Sequence, residues 1–124
     1  MFVIDLMSRE PIYEQIFHQV ADQILKGILQ PGDKMPSVRS LSMELSTNPN
    51  TVQRAYTELD RRGLITSVPG RGSFISNDAV KIVSSHQTDK LDDLEHMLKD
   101  FKFAGIKKDI VMEVVDKVYE EGET

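Results

Sequence analysis

The sequence predicts a mostly α-helical protein with one small β-hairpin. Apolar residues recur at helical spacing through most of the 124 residues. Only one stretch, "LITSVPGRGSFIS" from Leu64 to Ser76, changes to two runs of β-favouring residues around a glycine-rich turn. The five prolines stand at turns or beside the start of a predicted helix, so they separate one element from the next.

Composition narrows the function classes. Apolar residues make up 40% and charged residues 28% of the chain, an ordinary balance for a soluble domain. There is no cysteine, so disulfides and thiolate metal sites are excluded. No stretch approaches a membrane span of ~20 apolar residues, and the start has no basic leader. The sequence therefore predicts a cytoplasmic protein with no membrane partner.

The first predicted helix is "PIYEQIFHQVADQILKG", from Pro11 to Gly27. Its buried face is an apolar stripe at four-residue intervals, widened by two aromatic residues: Ile12, Ile16, Val20 and Ile24, with Tyr13 and Phe17. "QPGD" at 30–33 predicts a β-turn. A short second helix then follows Ser37 as its N-cap, with Val38, Leu41 and Leu45 on its apolar side.

A third helix is predicted within "STNPNTVQRAYTEL". Asn48 is a favourable N-cap and Pro49 a favourable first residue, while Gly63 suits the position after the end. The predicted buried stripe consists of Val52, Ala55, Tyr56 and Leu59. Two short helices joined by a very short turn form a helix-turn-helix, and the hairpin that follows turns it into a winged helix-turn-helix.

The rest of the chain is predicted to complete the hairpin and to form a tail. The opening "MFVID" is predicted to add a short strand to the hairpin. Residues 76–78, and the polar stretch as far as Val83, are predicted to be a flexible junction. We therefore divide the chain into a winged helix-turn-helix domain, 1–77, and a helical tail, 78–124.

The tail is predicted to be a hairpin of two helices, the first of which ends near Gly105. About 45 residues of this kind cannot bury an adequate core alone, and an identical chain is the simplest partner. The sequence therefore predicts a homodimer. Its predicted contact residues are Leu91, Leu94, Leu98, Phe101, Val111, Val114 and Val118.

The exposed face of the third helix suggests the partner. Opposite Val52 lie Asn50, Arg54, Thr57 and Arg61, with Gln53 beside them. Amides, hydroxyls and arginine are the groups that read base edges in the major groove of DNA. The net charge is −5, but residues 34–72 carry six basic and three acidic residues, whereas residues 80–124 carry seven and eleven. Double-stranded DNA is therefore the predicted partner of the basic middle of the chain.

The stretch from Gly27 to Ile75 closely resembles the DNA-binding domain of GntR-type bacterial transcription regulators. "PGDKMPSVR", "NPNTVQRAY", "RRGLI" and "GRGSF" occur in the family's order and spacing. "PIYEQI" and the short helical tail resemble the YtrA subfamily. The resemblance implies a dimeric repressor of palindromic operators with GT…AC character, with no cofactor. The resemblance does not specify the operator sequence, the target genes or a small-molecule effector.

The resemblance also implies roles for individual residues. Arg39 would grip DNA beside the third helix. Asn48, Asn50, Thr51 and Gln53 would contact bases or phosphates. The tip Gly70-Arg71-Gly72 would enter the neighbouring minor groove. Gln53 stands where many members carry a basic residue, which leaves the operator sequence open.

Four alternatives compete with DNA binding. The polar start of the third helix could be a cap alone, with Arg61 and Arg62 serving only the helix dipole. His96 has acidic residues at helical spacing (Asp92, Asp93 and Asp100) and His86 lies nearby, but this arrangement is expected by chance in an acidic tail, so no metal is expected. A fused aminotransferase-like domain would not fit this length, so no enzyme is expected. An acidic or apolar face on the third helix would favour a protein-interaction scaffold, and the observed face of Asn, Thr, Gln and Arg residues does not.

Overall fold

The computed structural model describes residues 2–122, which divide into two compact units at His86 and Gln87. The elements follow the predicted order of helices with a single hairpin. They are α1 (Ile12–Leu25), α2 (Val38–Glu44), α3 (Pro49–Arg61), β1 (Ile65–Val68), β2 (Gly72–Ile75), α4 (Ala79–Asp89), α5 (Leu91–Phe103) and α6 (Lys108–Glu120). The prediction of a mostly helical winged helix-turn-helix with helices after it is confirmed.

The core of the first unit lies where α1 and α3 pack together. The predicted stripe of α1 is buried at Ile16, Val20 and Ile24, and every member of the predicted α3 stripe is buried as well. The hydroxyl of Tyr56 donates to the Pro36 carbonyl at 2.6 Å, which satisfies the one polar atom of that ring. The inner face of α3 is therefore fixed by packing.

The segment before α1 does not form the predicted strand. Its backbone is held instead by two glutamines of α1: Gln19 accepts from the Val3 N–H at 2.9 Å, and Gln15 accepts from the Asp5 N–H at 2.8 Å. Phe2 reaches the core. The prediction that this segment extends the hairpin was wrong, because side-chain amides of α1 satisfy the backbone groups that a strand would have paired.

A different segment lies beside β2. The Gly32 N–H donates to the Ile75 carbonyl, the Ile75 N–H to the Asp33 carbonyl, and the Met35 N–H to the Ser73 carbonyl, each at 2.8 Å. β1 and β2 pair antiparallel with Val68 opposite Gly72. The hairpin is thus supported on one side by the turn that precedes α2.

The connection between α2 and α3 holds a serine in a left-handed conformation. Ser46 has φ of 52°, and the Thr47 N–H donates to the Ser42 carbonyl at 2.9 Å, which ends α2 tightly. Residues with a Cβ are disfavoured in this region by about 1–2 kcal/mol, whereas glycine adopts it freely.

Replacing Ser46 with glycine is therefore expected to stabilise the protein. The gain in the free energy of unfolding should be about 0.5–1 kcal/mol after the greater chain entropy of glycine is subtracted. Thermal unfolding followed by circular dichroism measures it. Ser40→Gly, the same change inside α2, is the control and should lower stability by about 0.5 kcal/mol. Equal destabilisation by both variants would contradict the argument.

The junction after β2 is helical. α4 begins at Ala79, and the side chains of Ala79 and Val83 are buried in the core of the first unit. Ile82 packs against that core, with its Cδ1 only 3.1 Å from where a Cβ on Gly63 would stand. The prediction of a polar, flexible junction over 76–83 was wrong, because three apolar residues at helical spacing join the core.

The second unit contains α5 and α6, joined at Gly105, which has φ of 82°. The tail was predicted to hold two helices, and α4 precedes them as an additional one. Neither α5 nor α6 contains a buried residue. Leu94 is 47% exposed and Val114 59% exposed. Most of the apolar side chains of this unit therefore face solvent in a single chain.

Candidate nucleic-acid interface

The start of α3 combines a helix cap with exposed polar side chains. The side-chain oxygen of Asn48 accepts from the Asn50 N–H at 2.8 Å and so caps the helix. The side-chain NH₂ of Asn48 has no hydrogen-bond acceptor among the described residues. Asn50 and Gln53 are exposed, and Thr51 is half-buried. The first turn of α3 therefore exposes hydrogen-bond donors and acceptors, while the opposite face of the same helix is buried in the core.

The second turn continues this polar face. The Gln53 amide donates to the Thr57 hydroxyl at 3.3 Å, a long hydrogen bond that a better acceptor would replace easily. An open groove of about 460 Å³ runs from this face of α3 to the hairpin. Its lining residues are Val38, Gln53, Tyr56, Thr57, Asp60, Arg61, Ser67 and Ser73.

Arg54, predicted to contact DNA, lies against α1. Its guanidinium carbon is 3.8 Å from the centre of the Tyr13 ring, a close cation–π contact. Arg62 is placed similarly over Phe17, at 5.0 Å. The predicted buried stripe of α1 included both aromatic residues, so neither contact was expected from the sequence. Arg54 is thus brought to α1 rather than to the group formed by Asn50, Thr51 and Gln53.

The end of α3 carries a charge cluster. Glu58 accepts from Arg61 and Arg62, both through nitrogen-to-oxygen contacts no longer than 3.1 Å. These hydrogen bonds, first from Arg61 and then from Arg62, lower the pKa of Glu58 to about 2. Both arginines are therefore compensated by an internal carboxylate.

The remaining predicted cations are exposed. Arg39 lies on the first turn of α2 and Arg71 at the tip of the hairpin. The Arg71 N–H donates to the Val68 carbonyl at 2.9 Å, and Gly70 has φ of 78°, which closes a type II turn with Pro69. Among residues 2–122, neither arginine side chain has a carboxylate within 4.0 Å. Both are available for an external anion.

The position of the hairpin relative to α3 is set by hydroxyl groups. Ser67 of β1 donates to Asp60 of α3 at 2.9 Å, and Ser76 donates to the Gly63 carbonyl at 2.6 Å. These bonds connect β1, and the residue that follows β2, to the last turn of α3 and the turn after it. The tip and the exposed face of α3 therefore belong to one supported surface.

In the part of the chain that the structure describes, no group of three or more histidine or acidic side chains is arranged to hold a metal ion, and this includes His96 and its acidic neighbours. Within the same residues, no helix is both long and apolar enough to cross a membrane.

Proteins of similar sequence and structure include bacterial transcription regulators. The family model "Bacterial regulatory proteins, gntR family" matches residues 12–75. The HTH-type transcriptional repressor YtrA of Bacillus subtilis (strain 168) is 41% identical over 119 residues, which are 95% of this chain and 92% of that protein. A transcriptional regulator from Oenococcus oeni superposes with a TM-score of 0.76 at 27% identity, over 96% of this chain and 99% of that one. The DNA-binding domain of AraR, solved in complex with operator ORE1, superposes with a TM-score of 0.52 at 25% identity, over 61% and 93%.

Proposed function

Because the chain belongs to the GntR family of bacterial regulatory proteins and resembles YtrA along nearly its whole length, we propose that it represses transcription as a homodimer on palindromic operators. It is a transcriptional regulator with a DNA-binding domain. The observation that carries the finer proposal is the exposed polar face at the start of α3, on a helix whose other face is buried.

In this proposal α3 enters the major groove. Asn50 and Gln53 are exposed amides, and amides form paired hydrogen bonds with adenine. Recognition helices read bases mainly with their first turns, where these residues stand. Asn48 and Thr51 lie at the helix start, where the positive end of the helix dipole favours a phosphate. Arg39 on α2 contacts the backbone beside them.

The hairpin enters the adjacent minor groove. Its tip is narrow because Gly70 and Gly72 have no side chains, and Arg71 is its exposed cation. Arginine is attracted to the minor groove by the negative potential there. The hydrogen bonds of Ser67 and Ser76 to α3 and to the turn after it support a fixed separation of the two elements.

Dimerisation is assigned to the tail. Its apolar residues are exposed in one chain although α5 and α6 are each amphipathic, and apolar area of this extent usually marks an interface. The predicted contacts Leu91, Leu98, Phe101, Val111 and Val118 all lie on these two helices, as do Leu94 and Val114. In this proposal residues 1–77 bind DNA and residues 78–124 carry dimerisation.

A role without catalysis follows from the relatives, which are transcription regulators. A protein that binds chromosomal operators in a bacterium works in the cytoplasm, and we propose that location. Metal, cofactor and membrane partners play no part in the proposal. A small-molecule effector stays open.

Selection of bound duplexes from random DNA tests the proposal. We expect the recovered sequences to contain inverted half-sites of GT…AC character, spaced to suit a two-fold dimer. The control is the variant Asn50→Ala/Gln53→Ala, which should recover no shared half-site. Recovery of asymmetric, unrepeated sites by the unmodified protein would contradict a dimeric reader, and absence of any enrichment would contradict sequence-specific binding.

A further inference from the structure

Lys34 stands beside the hairpin, on the segment that pairs with β2. It lies directly opposite Phe74 in an antiparallel bridge. The three 2.8 Å backbone hydrogen bonds made by Gly32, Asp33 and Met35 to β2 hold the residues on both sides of it. The backbone position of this lysine is therefore as well defined as that of a residue within the hairpin.

The side chain of Lys34 runs across Gly72 toward the hairpin tip. Its Cε lies 3.1 Å, and its Nζ 3.9 Å, from where a Cβ on Gly72 would stand. Gly72 also has φ of 116°, a conformation that residues with a side chain rarely adopt. Because Gly72 has no side chain, the space beside it is open, and the Lys34 side chain occupies that space. The ammonium group therefore lies beside Gly72, the residue that follows Arg71 in the chain.

This ammonium group has no carboxylate partner among residues 2–122 within 4.0 Å. The neighbouring Asp33 accepts the Gln30 N–H at 2.8 Å through its side chain, which directs that carboxylate to the turn. Lys26, by contrast, is paired with Asp22 at 2.9 Å. Among residues 2–122, Lys34 and Arg71 are therefore both cations without a carboxylate partner, and the Lys34 ammonium lies beside Gly72, which follows Arg71 in the chain.

We propose that the Lys34 ammonium binds a backbone phosphate of the DNA that flanks the hairpin tip. The inference rests on the proposed function, since it requires the hairpin to lie against DNA. A lysine ammonium is a compact charge without the planar fork that arginine uses for guanine, which suits a phosphate oxygen better than a base edge. Gly72 then serves the interface by admitting Lys34 as well as by narrowing the tip.

Salt dependence of binding distinguishes this contact from a structural role. Fluorescence anisotropy on a selected operator duplex, repeated at several KCl concentrations, gives the slope of log K against log[salt]. Each phosphate contact contributes a slope of about −0.9. Lys34→Gln should make the slope less steep by about 0.9 for each protomer bound, with base preference unchanged. Lys34→Arg keeps the charge and should retain the slope.

Lys26→Gln is the matched control, because it removes one exposed lysine that is already paired. Its slope should equal that of the unmodified protein. An unchanged slope for Lys34→Gln, with the unmodified protein still bound to the operator, would overturn the inference and leave the proposed function intact. Failure of the unmodified protein to bind any duplex would overturn both. Melting temperatures of the variants confirm that each is folded, and Lys34→Met replaces Lys34→Gln if the latter is not.

Discussion

Replacing Leu94 with aspartate is expected to separate the dimer into monomers and to lower operator affinity by at least about a hundredfold. Leu94 is 47% exposed in one chain, so the helix itself loses little packing. In a two-fold interface the substitution places two carboxylates in contact regions at once. A buried charge without a partner costs about 3–5 kcal/mol, and each 1.4 kcal/mol is a factor of about ten in affinity. Loss of the second half-site contact then removes the gain from bivalent binding, about 10²–10⁴-fold.

Analytical ultracentrifugation at micromolar protein measures the first effect, and anisotropy on the operator the second. His96→Asp is the matched control: it also adds a carboxylate to α5, but on the face opposite Leu94, and it should remain dimeric. A Leu94→Asp variant that sediments as a dimer would show that the interface lies elsewhere. Unmodified protein that sediments only as a monomer would contradict dimerisation through the tail.

Replacing Gln53 with alanine is expected to abolish preference at one base pair of each half-site. Gln53 is exposed, and its amide makes a long hydrogen bond of 3.3 Å to Thr57, so we expect truncation to leave the fold unchanged. A paired hydrogen bond to a base is worth about 1–3 kcal/mol of discrimination, and separated positions add. Affinity for a two-half-site operator should therefore fall by about 30-fold or more.

The measurement is a set of anisotropy titrations on operators that differ at single base pairs in both half-sites. Gln87→Ala makes the same chemical change on α4 and should leave both affinity and preference unaltered. If Gln53→Ala weakened binding to all operators equally, the side chain would contact the DNA backbone, and the proposal that it contacts a base would be wrong. Unchanged affinity throughout would remove Gln53 from the interface.

Sequence alone could predict the elements whose signals are local. Asn48 and Pro49 mark the start of α3 because a cap and a first-turn proline act within one turn of helix. Gly70 marks the hairpin tip because a type II turn needs a positive φ. The buried stripe of α3 was predicted completely, since the helical period alone determines which residues share a face.

Predictions failed where distant contacts decide the structure. The segment around Val3 was assigned to the hairpin, but the amides of α1 bind its backbone, and no local pattern reveals that pairing. The sequence did not predict α4, because its apolar residues are few and their role is evident only from their packing against the core of the first unit. The same limit applies at the site: Arg54 is on the expected face of α3, yet its guanidinium is drawn to Tyr13.

The division of tasks within α3 has a consequence for the evolution of regulatory circuits. Stability depends on the inward residues, such as Val52 and Leu59, whereas Asn50 and Gln53 contribute nothing to the core. Because the proposed function assigns base contacts to these two outward positions, we expect substitutions there after a gene duplication to change which promoters a copy controls without loss of the buried core. Under that proposal, a family built on such a helix diversifies its targets through single-residue steps.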